Sequence, residues 1–182
     1  AKKFDFDAVK FQKRDLNICI PEHHKKIIRE TPWGNITYFD YKKKIELSLV
    51  QYKKLVDFSK DIGIEMFTSC WDTNSLKQIK RLNFKYNKIA SAMITNTKLL
   101  NAVAKERKKT FISTGMCNMS DIEKAVKIFK SNKCKFVLMH SVSLYPCDES
   151  LLNLNFIRTL KKKFKCEVGY SGHESSVSPT IT

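Results

Sequence analysis

Short strand-like runs that each close on a polar signature constrain this chain more than any other feature. They read AVKFQ (8–12), FTSCWD (67–72), YNKIAS (86–91), FISTGM (111–116), VLMHSVSLYP (137–146) and VGYSGHE (168–174). Helix-like segments separate most of them. A repeating strand–helix pattern implies a parallel sheet. In such folds, polar groups gathered at the carboxyl ends of the strands are where sites are built. Lys10, Ser69, Lys88, Ser113, Ser171 and His173 would then converge on one rim. Two ammonium groups among hydroxyls suit an anion, a phosphate or a carboxylate.

The first strand is expected over residues 7–12. Residues 13–40 carry Pro21, Pro32 and Gly34 and read as irregular; so long a stretch is uncommon in a compact domain and tends to be functional. A helix follows over 41–62, with Ile45, Leu47, Leu49, Leu55, Val56 and Phe58 along one face and Gly63 as its stop. Strands over 64–69, 86–91, 110–114, 135–141 and 167–171 alternate with helices near 73–82, near 97–107, from Ser120, and near 150–163. Leu99, Leu100 and Val103 should face inward. Ser120 to Glu123 reads as a capping box.

Six strands at this regular spacing favour an α/β fold of the (β/α)8 TIM-barrel type over an open doubly wound sheet. The lack of a GxGxxG or Walker sequence removes the usual nucleotide-binding readings. A closed barrel needs eight strands. The expectation is therefore one incomplete TIM-barrel domain over 1–182, with a strand missing before Ala1 and another after Thr182. Its two unpaired edges would invite association and poor solubility.

With 42% hydrophobic residues the chain should pack as a globular body. No apolar run reaches membrane-spanning length, and Ala1 opens no signal peptide. Six cysteines form no CxxC pair or zinc spacing, which reads as reduced thiols in a cytoplasmic protein. The formal charge of +16 raises nucleic-acid binding. The lysines are dispersed over expected outer helix faces, however, and no DNA- or RNA-reading motif accompanies them. A solvated basic surface is the simpler account.

At these residues the chain resembles the sialic acid synthase family. AVKFQKRD, TPWGNITYFDYKKKIEL, YNKIAS, FISTGM, SLYP and GYSGHE follow the family's order and approximate spacing along essentially the whole chain. The resemblance implies a (β/α)8 catalytic barrel, of which this chain resembles strands two to seven, without the small C-terminal antifreeze-like domain. It implies condensation of phosphoenolpyruvate with an N-acyl hexosamine to a nine-carbon 2-keto acid, with release of phosphate. Lys10 and Lys88 would hold the charge of phosphate and carboxylate. Ser69, Ser91, Ser113 and Ser171 would complete that site, and Ser143 and Tyr145 would lie near the sugar. His173 would be one of two histidines on a divalent metal, Mn2+ or Mg2+. A full-length member would be a homodimer. Two departures stand out: Met93 occupies a position where many relatives have Glu, and Gly172 one where some have Asp.

Other readings of the same residues remain open. Lys10 could pair with a core carboxylate rather than an anion. Lone serines at strand ends are usually turn or cap residues. His140 sits mid-strand and suits packing. His23 and His24 could be merely exposed, and Trp33 and Tyr38 could anchor the long loop. The alternatives to a synthase are another phosphoenolpyruvate-using or aldolase-type barrel enzyme, or a non-catalytic anion-binding protein.

Overall fold

Each strand-like run becomes a strand in the computed structural model, which describes residues 1–181. The chain divides into two units, Ala1–Phe84 and the residues from Lys85 onwards. In the first, β1 (Ala8–Lys13) and β4 (Glu65–Cys70) pair in parallel, Lys10 opposite Phe67 and Gln12 opposite Ser69. In the second, β5 (Tyr86–Ile89), β6 (Lys109–Ser113), β7 (Phe136–His140) and β8 (Glu167–Tyr170) form a parallel sheet in that order.

Between β1 and β4 the expected irregular stretch is largely ordered. It holds α1 (Leu16–Cys19), α2 (Glu22–Lys25), an antiparallel hairpin of β2 (Ile28–Thr31) and β3 (Gly34–Thr37), and α3 (Tyr38–Ile45). The hairpin turns at Pro32 and Trp33. Thr31 Oγ1 accepts the Trp33 amide at 3.1 Å and donates to the Gly34 carbonyl at 2.8 Å. Gly34 takes φ +86°, open to glycine without strain.

The single helix expected over 41–62 is two, α3 and α4 (Leu49–Asp61). Glu46 leaves the helix to bind Lys13 Nζ and the Arg14 amide, each at 3.0 Å. Ser48 then restarts the helix with a reciprocal box: its hydroxyl accepts the Gln51 amide, and Gln51 accepts the Ser48 amide. The buried face of α4 is Tyr52, Val56 and Ser59, at i, i+4 and i+7. Of the expected face, Val56 is buried, but Ile45, Leu49 and Phe58 are exposed. Gly63 follows α4 at φ +67°. α5 (Thr73–Ile79) is capped by Asp72.

In the second unit, α6 (Thr97–Ala104), α7 (Met119–Ser131) and α8 (Asn155–Phe164) follow β5, β6 and β7, and a short α9 (Ser178–Ile181) follows β8. Leu99, Leu100 and Val103 are buried as expected, with Ile112, Ile122, Phe129, Leu138 and Leu160. Each side chain removed from water stabilises by about 1.5–3 kcal/mol. The box that starts α7 is Asn118 with Asp121, two residues earlier than Ser120 with Glu123. Asn and Ser cap equally well, so two overlapping boxes cannot be ranked locally. His140 is a packing residue. It is buried, its Nε2–H donates to the Leu152 carbonyl at 2.6 Å, and its ring lies against Phe156 and Tyr170.

Candidate active site

Strand register decides which side chains share a face. In the first unit, Phe11 meets Tyr52 of α4, and the Tyr52 hydroxyl donates to the Gln12 carbonyl at 2.6 Å. That face of β1 is covered by the helix. Lys10 and Gln12 point the other way, beside Phe67 and Ser69. Lys10 remains exposed and has no ion pair among the described residues. The atoms crowding it, and secondarily the Arg14 guanidinium, hold its pKa below the ordinary lysine value. The carboxylate partner considered for Lys10 belongs to Lys13 on the helix side, buried against Glu46 at 3.0 Å.

At the carboxyl ends of these two strands lies a buried hub on Asp72. Its carboxylate accepts the Asp15 amide at 2.8 Å, the Ser75 amide and hydroxyl at 2.7 Å each, and the Cys19 thiol at 3.4 Å. Burial alone would raise the Asp72 pKa, but these donors outweigh it and the net shift is downwards. Burial, then the Asp72 charge, pushes the Cys19 thiol up to about 12, so it is no nucleophile at neutral pH. Arg14 lies over the Trp71 ring at 4.4 Å, beside Glu46. The hub ties the β1–α1 turn to the start of α5 and so fixes the carboxyl ends of β1 and β4.

In the second unit, the residues in register with Lys88 and Ser113 are Phe111 and Met139, and Met139 is in turn opposite Gly169. The Lys88 ammonium and the Ser113 hydroxyl are in direct hydrogen-bond contact. Beyond them, at the strand ends, the Gly115 amide donates to Ser91 Oγ and to Ser141 Oγ, each at 3.1 Å, and the two hydroxyls are 3.3 Å apart. Gly115 is buried, and a Cβ there would lie 2.5 Å from Ser143 Oγ and 3.0 Å from the Ser141 carbonyl. The glycine is needed for close approach, not for its backbone angles. Ser171 continues from β8, its amide bonded to the His140 carbonyl at 2.8 Å.

The Tyr145 and His173 rings lie against each other, tilted by 38°, with centroids 4.1 Å apart. His173 Nδ1 lies 2.6 Å from the Val142 carbonyl. A carbonyl only accepts, so Nδ1 carries a proton, and in the neutral imidazole Nε2 is then the nitrogen with the lone pair. That is the tautomer of a metal ligand with an oriented ring. Among the described residues no group of three or more His, Cys, Asp or Glu side chains could hold a metal. Neighbouring Glu174 is committed locally, accepting the Tyr170 hydroxyl at 2.7 Å and the His173 amide at 2.8 Å. Its carboxylate folds over Gly172, where a Cβ would come within 3 Å of both oxygens. A side chain such as Asp at 172 would have to displace Glu174.

Lys88, Ser91, Ser113, Ser143, Tyr145, Ser171 and His173 thus lie at or near the carboxyl ends of the second unit's strands, and Lys10 and Ser69 share a face of the first. Sequence reasoning missed Ser141 and the Gly115 amide. The signal for Ser141 was present in the alternation of HSVS, where Ser141 and Ser143 stand two residues apart. A backbone donor has no signature in side-chain identity.

The profile of the NeuB family matches residues 1–182. The chain is 35% identical over 181 residues to N-acetylneuraminate-9-phosphate synthase of Drosophila melanogaster, covering 97% of this chain and 48% of that one. It is 33% identical over 176 residues to N,N'-diacetyllegionaminic acid synthase of Campylobacter jejuni, covering 94% and 53%. The crystal structure of N-acetylneuraminic acid (sialic acid) synthetase from Leptospira borgpetersenii, in complex with citrate, superposes with a TM-score of 0.88 at 30% identity, over 98% of this chain and 58% of that one. The chain spans about half the length of the curated relatives it matches. The fold is accordingly the α/β fold of part of a TIM barrel. With its strand-end motifs in register along the whole length, the chain belongs to the NeuB family.

Proposed function

We propose that the protein condenses phosphoenolpyruvate with an N-acyl hexosamine, such as N-acetylmannosamine, to a sialic-acid-type 2-keto sugar acid and inorganic phosphate. One observation carries the proposal: the Lys88 ammonium against the Ser113 hydroxyl, with Ser91, Ser141 and the Gly115 amide at the same strand ends. The Lys88 ammonium and the Ser91 and Ser113 hydroxyls supply donors for phosphate or carboxylate oxygens, with Ser141 and the Gly115 amide holding Ser91 from behind. Membership of a family whose relatives are named as sialic and legionaminic acid synthases supports the same chemistry. Lys10 is assigned the same task, since an ammonium whose surroundings disfavour its charge gains most when an anion arrives.

In the proposed reaction the π electrons between carbons 2 and 3 of phosphoenolpyruvate form a bond from carbon 3 to the aldehyde carbon of the open-chain sugar, whose C=O π pair moves to oxygen and takes up a proton, balanced by the one that the water added at carbon 2 gives up. Carbon 2 takes up water, and the tetrahedral centre expels phosphate as the keto group forms. Lys10 and Lys88 stabilise the phosphate and carboxylate charge throughout, and Ser69, Ser91, Ser113 and Ser171 donate to their oxygens. Ser143 and Tyr145 face the sugar. His173 Nε2 would be one ligand of a divalent cation, Mn2+ or Mg2+; such an ion supplies Lewis acidity at the aldehyde. No lysine adduct is required.

We assign the whole enzyme to the cytoplasm, as a homodimer. No helix among the described residues is long and apolar enough to cross a membrane. The test is phosphate release from phosphoenolpyruvate with Mn2+, with and without a panel of N-acyl hexosamines, by the product of the whole reading frame. Release that depends on the sugar is expected. A folded protein that neither binds phosphoenolpyruvate nor releases phosphate with any sugar would refute the proposal.

A further inference from the structure

We infer that Ser141 sets the direction of the Ser91 hydroxyl proton, making Ser91 a fixed hydrogen-bond donor to a bound oxyanion; the inference rests on the phosphoenolpyruvate reading above. Ser141 follows β7 directly and is 5% exposed. Among the described residues its hydroxyl meets two groups, the Gly115 amide at 3.1 Å and Ser91 Oγ at 3.3 Å. The amide can only donate. The Ser141 proton therefore has one acceptor, Ser91 Oγ. A buried hydroxyl proton left without an acceptor costs about 1–3 kcal/mol, so the order Ser141 to Ser91 is favoured over its reverse.

That order has a chemical consequence. Ser91 Oγ accepts from Ser141 and from the Gly115 amide, also at 3.1 Å. Both of its lone pairs are then engaged and only its proton remains to be given. Such a hydroxyl offers a bond to a phosphate or carboxylate oxygen and none to a competing donor. Ser91 is only partly buried, so the spare proton sits on the member of the pair that a ligand can reach. Ser141 is thus a positioning residue that acts through Ser91.

The experiment is calorimetric titration of the whole-reading-frame protein with phosphoenolpyruvate and, separately, with inorganic phosphate. Wild type is compared with Ser141→Ala, Ser91→Ala and the double variant. Ser141→Ala should weaken phosphoenolpyruvate binding by about tenfold, the scale of one hydrogen bond to a charged group. In the Ser91→Ala background the same substitution should change affinity by less than about twofold, because the group it acts through is gone. Effects that multiply, or a folded Ser141→Ala that binds as wild type does, would overturn the inference. Should Ser141→Ala not fold, Ser141→Cys keeps the volume with a weaker donor, and should lose several-fold in affinity only when Ser91 is present. Phosphate binding with this mutant pattern but no phosphoenolpyruvate binding would keep the proton order and remove the synthase reading. Binding of neither probe by wild type would overturn both.

Discussion

Replacing Gly115 by alanine should damage both stability and anion binding, for one steric reason. The added methyl would stand 2.5 Å from Ser143 Oγ and 3.0 Å from both the Ser141 carbonyl and hydroxyl oxygens. The first contact is about 0.8 Å inside an ordinary carbon–oxygen separation of about 3.3 Å. Ser143 must turn away, and the β7 end, which is backbone, must yield by a few tenths of an ångström. Overpacking of this kind costs about 1–3 kcal/mol, or about 2–4 °C in Tm per kcal/mol at this chain length. Urea unfolding gives the stability change, and titration with phosphoenolpyruvate the change in the site. Gly63→Ala is the control. Nothing lies within 4 Å of its added methyl, and its penalty comes from φ +67° alone. It should lose about 1 kcal/mol and bind normally. Ser143→Ala in the Gly115→Ala background removes the tightest contact and should recover a measurable part of the lost stability. A Gly115→Ala protein within about 0.5 kcal/mol of wild type, the background for harmless surface changes, or one that Ser143→Ala fails to rescue, would refute the reasoning.

Two titrating groups give further predictions. Asp72 has a folded pKa below its ordinary 3.8, so its ionised form contributes stability that is complete above 3.8 and lost as pH falls through the folded value. Asp72→Asn should be less stable than wild type by about 1–3 kcal/mol at pH 5 to 7, with the gap closing only below 3.8; a gap that already closes by pH 5 in urea titrations would contradict the hub. Lys10 has the opposite sense, since its charged form is disfavoured in the folded protein. Wild-type stability should rise as pH climbs through the depressed Lys10 value towards 10.5, a slope that Lys10→Met should lack. Without ligand Lys10→Met should melt no lower than wild type at pH 7, while binding phosphoenolpyruvate more weakly; a lower Tm would mean that Lys10 is structural.

The strand–helix alternation was legible in the sequence because hydrophobic period and turn residues are local properties. So were the buried face of α6, the stop at Gly63, and the lysines and hydroxyls that end the strands. The break between α3 and α4 was not, since Glu46 leaves the helix for Lys13 and Arg14, more than thirty positions away in the chain. The order within residues 13–40 was only half legible: Pro32-Trp33-Gly34 signals a turn, but the hairpin needs two short strands whose pairing pattern is weak. Residue identity marked Lys10, Lys88 and Ser113 as chemistry. Tertiary structure decided that Lys13 is the lysine paired with a core carboxylate, that Ser141 and a backbone amide complete the Ser91 site, and that Gly115 is held to glycine by Ser143 and the Ser141 carbonyl. Each of these depends on which atoms approach within hydrogen-bond or van der Waals range across separate strands or turns, a distance that no local pattern of side chains encodes.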